Sequence, residues 1–438
     1  MPLAPPVPER RAPGAALVLA LCAALAAGCG RRPDSGPLVC WGLGREGEVL
    51  QELVPEFERT HPGRHVRVQQ FPWMAAQEKL LTAFVGESTP DLAQLGNTWI
   101  PEFAAVGALQ PLDARVAASS VVRPEDTFPG IWQTNQVDGV LYGVPWYVDT
   151  RALFYRSDLL AEAGFAQAPR SWDEWRAAMV AVKARGGARY GALLPVNEWA
   201  QPVLLGVQKG APLLREGGRR AGFAEPRFRA AIAFYVSLFR DGLAPTLVQS
   251  QVSNQYQQFA AGDFAFFVSG PWNLGEMRRR LPQLEGRWAV APLPHPDAGA
   301  GVPGASLAGG SSLVLFRNSP RQDAAWELIE FLARPEQQLR LFAASGDLPA
   351  ARAAWDDPAL AGDAPLRVFR AQLQHVEPMP RVPEWERVAT RVAEAAESAA
   401  RGAVSIDEAL TGLDADVDRL LDKRRFLLDR RALQGPRP

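Results

Sequence analysis

Several tryptophans stand in turn-rich surroundings rather than on helical stripes. They are Trp73 after Gln70-Phe71-Pro72, Trp99 after Gly96-Asn97-Thr98, and Trp146 between Pro145 and Tyr147. Trp199 follows Asn197-Glu198, Trp272 follows Ser269-Gly270-Pro271, and Trp385 follows Arg381-Val382-Pro383-Glu384. An indole is costly to leave in water unless a ligand or a core uses it, and its flat face matches the C–H face of a pyranose. The adjacent hydroxyls of such a ring call for bidentate partners, which carboxylates, guanidinium groups and amides supply. Asn, Asp and Arg side chains interleave with these tryptophans. Any one of them could equally be packing; together they predict a carbohydrate cleft. Trp172, Trp175 and Trp326 lie at helical spacing and are assigned to the core.

Other chemistry finds little support. Gly42-Leu43-Gly44-Arg45-Glu46-Gly47 matches the dinucleotide pattern GxGxxG and follows an apolar run, but the next strand ends in Gln69-Gln70-Phe71, without the acid that holds a ribose. The stretch therefore reads as a flexible loop at the carboxyl end of a strand, where α/β sheets present ligand sites. Gly304-Ala305-Ser306-Leu307-Ala308 only grazes the nucleophile elbow, and no strand precedes it. His61, His65, His295 and His375 share no ligand spacing, and Cys40 is the only thiol in the body of the chain. No metal, cofactor or disulfide framework is expected.

These residues need elements to position them. Leu38-Val39-Cys40-Trp41 reads as a buried strand, and Val49, Leu50, Leu53, Val54 and Phe57 then recur at helical spacing up to His61-Pro62-Gly63. Val66 and Val68 mark a second strand; Leu80, Leu81 and Phe84 a second helix; Asp91 to Leu95 a third strand. A βαβαβ start of this kind predicts an α/β fold with a mostly parallel sheet. Further strands are expected at 142–148, 152–155, 264–268, 288–293 and 313–316. Ser171 marks the start of a helix through Trp175 and Val182, and Ser405 with Glu408 forms a capping-box pattern. The chain has 438 residues, too many for one core, with 47% hydrophobic residues and a net charge of −1. That balance excludes bulk disorder and offers no basic stripe for nucleic acid. Lys423-Arg424-Arg425 and Arg430-Arg431 read as a solvated helix end.

The amino terminus is a targeting segment. Arg10 and Arg11 precede an apolar run from Ala15 to Ala27, too short to span a bilayer, and Leu25-Ala26-Ala27-Gly28-Cys29 resembles a lipobox. The expectation is a signal peptide over 1–28, lipidation at Cys29, a tether over 29–36, and an exported protein anchored at the periplasmic or cell surface by acyl chains alone.

Several strings together resemble the family 1 extracellular solute-binding proteins, the sugar-binding lipoproteins of ABC importers. They are Pro90-Asp91-Leu92-Ala93-Gln94-Leu95-Gly96-Asn97-Thr98-Trp99, Val144-Pro145-Trp146-Tyr147-Val148-Asp149-Thr150-Arg151, Ser269-Gly270-Pro271-Trp272, Leu307-Ala308-Gly309-Gly310-Ser311-Ser312 and Ser345-Gly346-Asp347-Leu348-Pro349. The resemblance implies the two-lobed periplasmic-binding-protein fold of type II, its lobes joined by hinge crossovers. It places lobe 1 at 37–148, lobe 2 at 149–292, a return to lobe 1 at 293–334, the helical remainder of lobe 2 at 335–425 and a tail at 426–438. It also implies a monomer that binds a mono- or oligosaccharide without catalysis and hands it to ABC permease subunits in the inner membrane. Carried over position by position, Asp149, Trp272, the turn Gly309-Gly310-Ser311 and Arg381 become sugar contacts, beside Asn97, Trp99, Trp146, Tyr147, Trp199 and Trp385. Where relatives can hold an acid, this chain has Gly96-Asn97, which leaves the hydroxyl pattern open. Two alternatives stay open as well. One is an exported hydrolase or lyase; the other is the same fold holding a polyol phosphate or organic anion between Arg151 and Arg381.

Overall fold

The computed structural model describes residues 36–252 and 254–434. Two sheets carry the architecture, one of six strands and one of four. In chain order their strands are β1 (Leu38–Leu43), β2 (Val66–Phe71), β3 (Leu92–Gly96), β4 (Gly143–Asp149), β5 (Ala152–Tyr155), β6 (Tyr190–Leu193), β7 (Phe264–Ser269), β8 (Ala289–Ala291), β9 (Gly309–Leu315) and β10 (Leu348–Pro349). The helices that matter here are α1 (Gly44–Thr60), α2 (Trp73–Val85), α3 (Trp172–Ala184), α4 (Ala200–Gln208), α5 (Pro226–Arg240), α6 (Trp272–Arg280), α7 (Gln322–Ala333), α8 (Pro335–Ser345), α9 (Trp385–Ala400), α10 (Ile406–Leu420) and α11 (Asp422–Gln434).

The start of the chain folds as its pattern dictates. All five residues of the apolar stripe Val49, Leu50, Leu53, Val54 and Phe57 are buried in α1. The helix closes with the His61 N–H on the Phe57 carbonyl at 2.9 Å, and Pro62 cannot continue the ladder. β2 and β3 flank β1 in parallel. The remainder of the larger sheet departs from the parallel expectation. Its order is β10-β4-β9-β3-β1-β2, and β9 runs antiparallel to both β3 and β4, as β10 does to β4. The reason is the route: β9 re-enters this lobe from the other one, and β10 follows α8 back to the same edge, so both begin where β3 and β4 end.

The smaller sheet has the order β8-β5-β7-β6. Its β7 finishes beside the start of β5, with Ser269 opposite Ala152, so Trp272 is delivered to the same interlobe edge. The crossings are stitched to one another. Thr150 Oγ1 donates to the Leu307 carbonyl at 3.0 Å, and Ser306 Oγ both donates to the Arg151 carbonyl and accepts from its N–H, each at 2.9 Å. Each lobe has its own core. Leu50, Leu53 and Phe57 of α1 meet Leu328, Ile329 and Leu332 of α7 in one. Trp175, Tyr235, Val388 and Leu410, from α3, α5, α9 and α10, meet in the other.

The caps follow the sequence pattern: Ser171 accepts from the Glu174 N–H, and Ser405 with Glu408 closes a reciprocal capping box. The lobe boundary at 334 does not follow the expectation. α8 lies against α1, and β10 hydrogen-bonds to β4, so the chain stays with the larger lobe until Pro349. A two-residue strand carries too little pattern to be read from sequence. The expected tail from 426 is helical through Gln434. Cys29 and the signal segment lie outside the described residues, among which no helix is long and apolar enough to cross a membrane.

Candidate functional site

The ends of β1, β2 and β3 and the starts of β9 and β10 share one edge, and the side chains gathered there form a continuous group. The GxGxxG stretch builds its first corner. A Cβ on Gly42 would sit 2.6 Å from the Gly47 Cα, and Gly44 takes a φ of +51° with Trp73 so close that a Cβ would lie 2.7 Å from its ring. The glycines thus admit an indole, not a pyrophosphate. The first turn of α1 carries the buried Glu46, a negative charge where a dinucleotide would place its own. Glu46 accepts from Tyr147 Oη at 2.9 Å and from Trp73 Nε1 at 3.4 Å. Trp73 in turn meets Trp99 edge to face, with centroids 5.5 Å apart.

Asp149 ends β4, opposite Gly309 of β9, and a Cβ on that glycine would fall 2.1 Å from Asp149 Oδ1. Gly310 has a φ of +124° and presses on the Tyr147 carbonyl, a backbone shape that only glycine holds without strain. Arg151 Nη1 donates to Asp149 Oδ1 at 3.0 Å, and the guanidinium lies over Trp272, 4.6 Å from the ring centroid. Trp272 remains 42% exposed at the edge of the cleft. Gly270 makes room for that indole, since a Cβ there would be 1.9 Å from it.

Electrostatics join Asp347 to the group. Burial, then the charge of Glu46 and that of Asp149, push its carboxyl up from an ordinary 3.8 to about 7. Burial likewise raises Glu46, against hydrogen bonds from its backbone, Tyr147 and Trp73 that work the other way. Burial foremost drives the Tyr147 hydroxyl well above its usual range. The carboxylates of Glu46, Asp149 and Asp347 therefore crowd one region, in which Arg151 is already paired with one of them. Such a region accepts hydrogen bonds from hydroxyls and repels anions. Among the described residues no cluster of His, Cys, Asp and Glu could hold a metal.

Tyr147, Asp149, Trp272, Gly309, Gly310 and, through Trp73, Trp99 are thus brought together. Others serve the scaffold. Trp146 is fully buried in the core of the larger lobe, because a residue beside Tyr147 on a covered strand meets core wherever it points. Trp385 is 1% exposed, and Trp199 packs edge-on against it with centroids 5.7 Å apart. The signal for Trp385 was in the sequence: with Val388, Ala389 and Val392 it completes the buried stripe of α9. Asn97 is buried and donates to Thr134 Oγ1 and the Ala308 carbonyl, while Ser311 Oγ donates to the Leu95 carbonyl. Arg381 Nη1 donates to the carbonyls of Gln133 and Gln136 at 3.2 and 3.3 Å. Asp149 therefore has Arg151, not Arg381, as its cation. Glu46, Trp73, Arg151 and Asp347 were not among the expected sugar contacts. Trp73 reads from the sequence as a loop indole; Glu46 and Asp347 lie in strings the sequence singles out, but nothing there marks either as a sugar contact.

Arg381 also borders a groove of about 660 Å³ between the hairpin at 136–141 and the loop at 210–218, with Asp138, Leu213, Glu377, Met379 and Arg424 on its walls. Size alone would favour that groove. Its lining has no aromatic residue, so it offers a pyranose no stacking face. The Trp272–Asp149–Glu46 group has both the face and the acceptors.

A family model for bacterial extracellular solute-binding proteins matches residues 41–339. A binding protein of Brucella abortus is 27% identical over 384 residues, covering 86% of this chain and 91% of its own. The diacetylchitobiose binding protein DasA of Streptomyces coelicolor is 25% identical, over 77% of each chain. Among solved structures, the sugar-binding protein MalE of Xanthomonas citri is 46% identical with a TM-score of 0.86, over 90% of this chain and 100% of that one.

Proposed function

Because the chain belongs to the bacterial extracellular solute-binding proteins, we propose that it is a receptor for a neutral mono- or oligosaccharide, bound between the two lobes and passed to an ABC permease of the inner membrane. The observation that carries the ligand class is the union of an exposed indole, Trp272, with a carboxylate-rich and guanidinium-poor region at Asp149, Glu46 and Asp347. Hydroxyls from one sugar can donate to these acceptors while its C–H face covers the ring. Contacts from both lobes stabilise the closed form by population shift, and the permease reads that shape.

Geometry argues against an anionic ligand. Arg151 is paired with Asp149, and Arg381 is engaged with backbone carbonyls. Binding proceeds without turnover in this reading. Glu46, Asp149 and Asp347 all belong to the larger lobe, so they do not face one another across a bond held between the lobes. The chain is exported, and lipidation at Cys29 holds it at the membrane surface.

Thermal-shift screening of the mature chain against neutral sugars, uronates and sugar phosphates tests the ligand class, since a ligand that binds the folded form raises stability as RT ln(1 + [L]/Kd). A neutral sugar should shift the melting temperature and leave the assay chemically unchanged. Stabilisation by anions alone, or hydrolysis of the stabilising glycan, would refute the reading. Separately, Cys29→Ser should move the protein from the membrane to the soluble exported fraction.

A further inference from the structure

Arg151 stands between the two lobes' contributions to the site. Its backbone is clamped at both polar atoms to the hydroxyl of Ser306, a fully buried residue on the second crossing, so its side chain starts from a fixed point. From there one guanidinium makes two contacts: the 3.0 Å hydrogen bond to Asp149 and the stack on Trp272 at 4.6 Å. Asp149 closes a strand of the larger lobe, and Trp272 opens a helix of the smaller one. The arginine side chain is 19% exposed and the aspartate 26%, so water screens the pair less than it would on an open surface. Glycines fit around both partners. Gly309 lets the carboxylate lie against β9, and Gly270 lets the indole fold back over the end of β7.

We propose that Arg151 is a positioning residue of the sugar site, tying the Asp149 carboxylate to the Trp272 indole so that a hydroxyl acceptor and a stacking face from different lobes meet the same sugar unit. The proposal rests on the receptor reading for its purpose. The orientation itself needs no ligand, and the first test uses none.

Trp272 emission is isolated as the difference between each protein and its Trp272→Phe counterpart. Arg151→Met keeps the aliphatic stem and removes both contacts; Arg151→Lys keeps the charge and serves should the methionine variant fold poorly. Acrylamide quenching of the Trp272 component should rise in Arg151→Met and take an intermediate value in Arg151→Lys. A Trp272 component unchanged in both variants overturns the proposal. The second test is calorimetry with each sugar that binds the unmodified protein. Arg151→Met should weaken binding roughly tenfold for all of them, yet cost less than about threefold in a Trp272→Ala background, where the group it positions is gone. Unchanged affinity, or the full loss repeated in that background, also overturns it. If no sugar binds the unmodified protein, the receptor reading falls, and the quenching comparison still decides the role of Arg151.

Discussion

Trp272 and Trp146 differ by their surroundings rather than their chemistry. The first is 42% exposed at the cleft edge and the second fully buried. Trp272→Ala should leave the melting temperature of the unliganded protein nearly unchanged and weaken sugar binding by roughly 1–3 kcal/mol. Trp146→Ala should instead cost about 3–5 kcal/mol of stability. Denaturant unfolding and calorimetry on the two variants separate the roles, and matching profiles would contradict them. Asp347 makes a second prediction at this scale. Its carboxyl is held at about 7 against 3.8, by burial first and by Glu46 and Asp149 next. As pH rises from 3.8 towards 7, the unfolded chain has already lost this proton while the folded form keeps it. Stability from this group therefore falls through that window, and the full penalty is present above it. Asp347→Asn escapes the penalty, so its gain in melting temperature over the unmodified protein should grow across the window and then level off. A difference that does not change with pH would rule the effect out.

At the scale of elements, the site depends on short turns at which strands deliver their side chains to the cleft. The Ser269-Gly270-Pro271-Trp272 turn joins β7 to α6, and the missing Cβ at Gly270 is what allows the indole to lie back. Gly270→Ala should lower sugar affinity by about as much as Trp272→Ala, because a methyl group 1.9 Å from the ring must displace it. Full affinity in this variant would show that the indole's position does not matter. The capping box at Ser405 belongs to the scaffold by contrast. Ser405→Ala should cost about 1 kcal/mol of stability and leave binding unchanged, as thermal unfolding and calorimetry would show.

For the whole molecule, the question is what holds the lobes together. The Arg381 guanidinium grips the Gln133 and Gln136 carbonyls of the larger lobe, while the α9 that follows it is packed into the smaller one. The start of α9 also packs against the Asn97–Trp99 turn of the larger lobe. Arg381→Ala should therefore bias the unliganded protein towards an open form, with a larger radius of gyration in solution scattering. It should lower the affinity of every ligand by one common factor, worth roughly 1–2 kcal/mol. A loss confined to anionic ligands would instead make Arg381 a ligand contact.

The sequence by itself determined what is local. The α1 stripe from Val49 to Phe57 and the caps at Ser171 and Ser405 follow from periodicity and from hydrogen bonds between near neighbours. In the sequence, one cleft for Tyr147, Asp149 and Trp272 is implied by the family resemblance rather than by periodicity. Local pattern could not sort all the tryptophans. Trp385 could be assigned from the stripe of α9, but Trp146 and Tyr147 are adjacent on one strand, and which of them is covered depends on elements distant in the chain. Nor could it pair charges. Glu46, Asp149 and Asp347 lie far apart in the chain, and only the assembled sheet, with β10 beside β4, brings them within electrostatic reach. Arg151 rather than Arg381 became the partner of Asp149 for the same reason: a two-residue step at a clamped crossing fixes where a guanidinium can reach, and that geometry exists only in the folded chain.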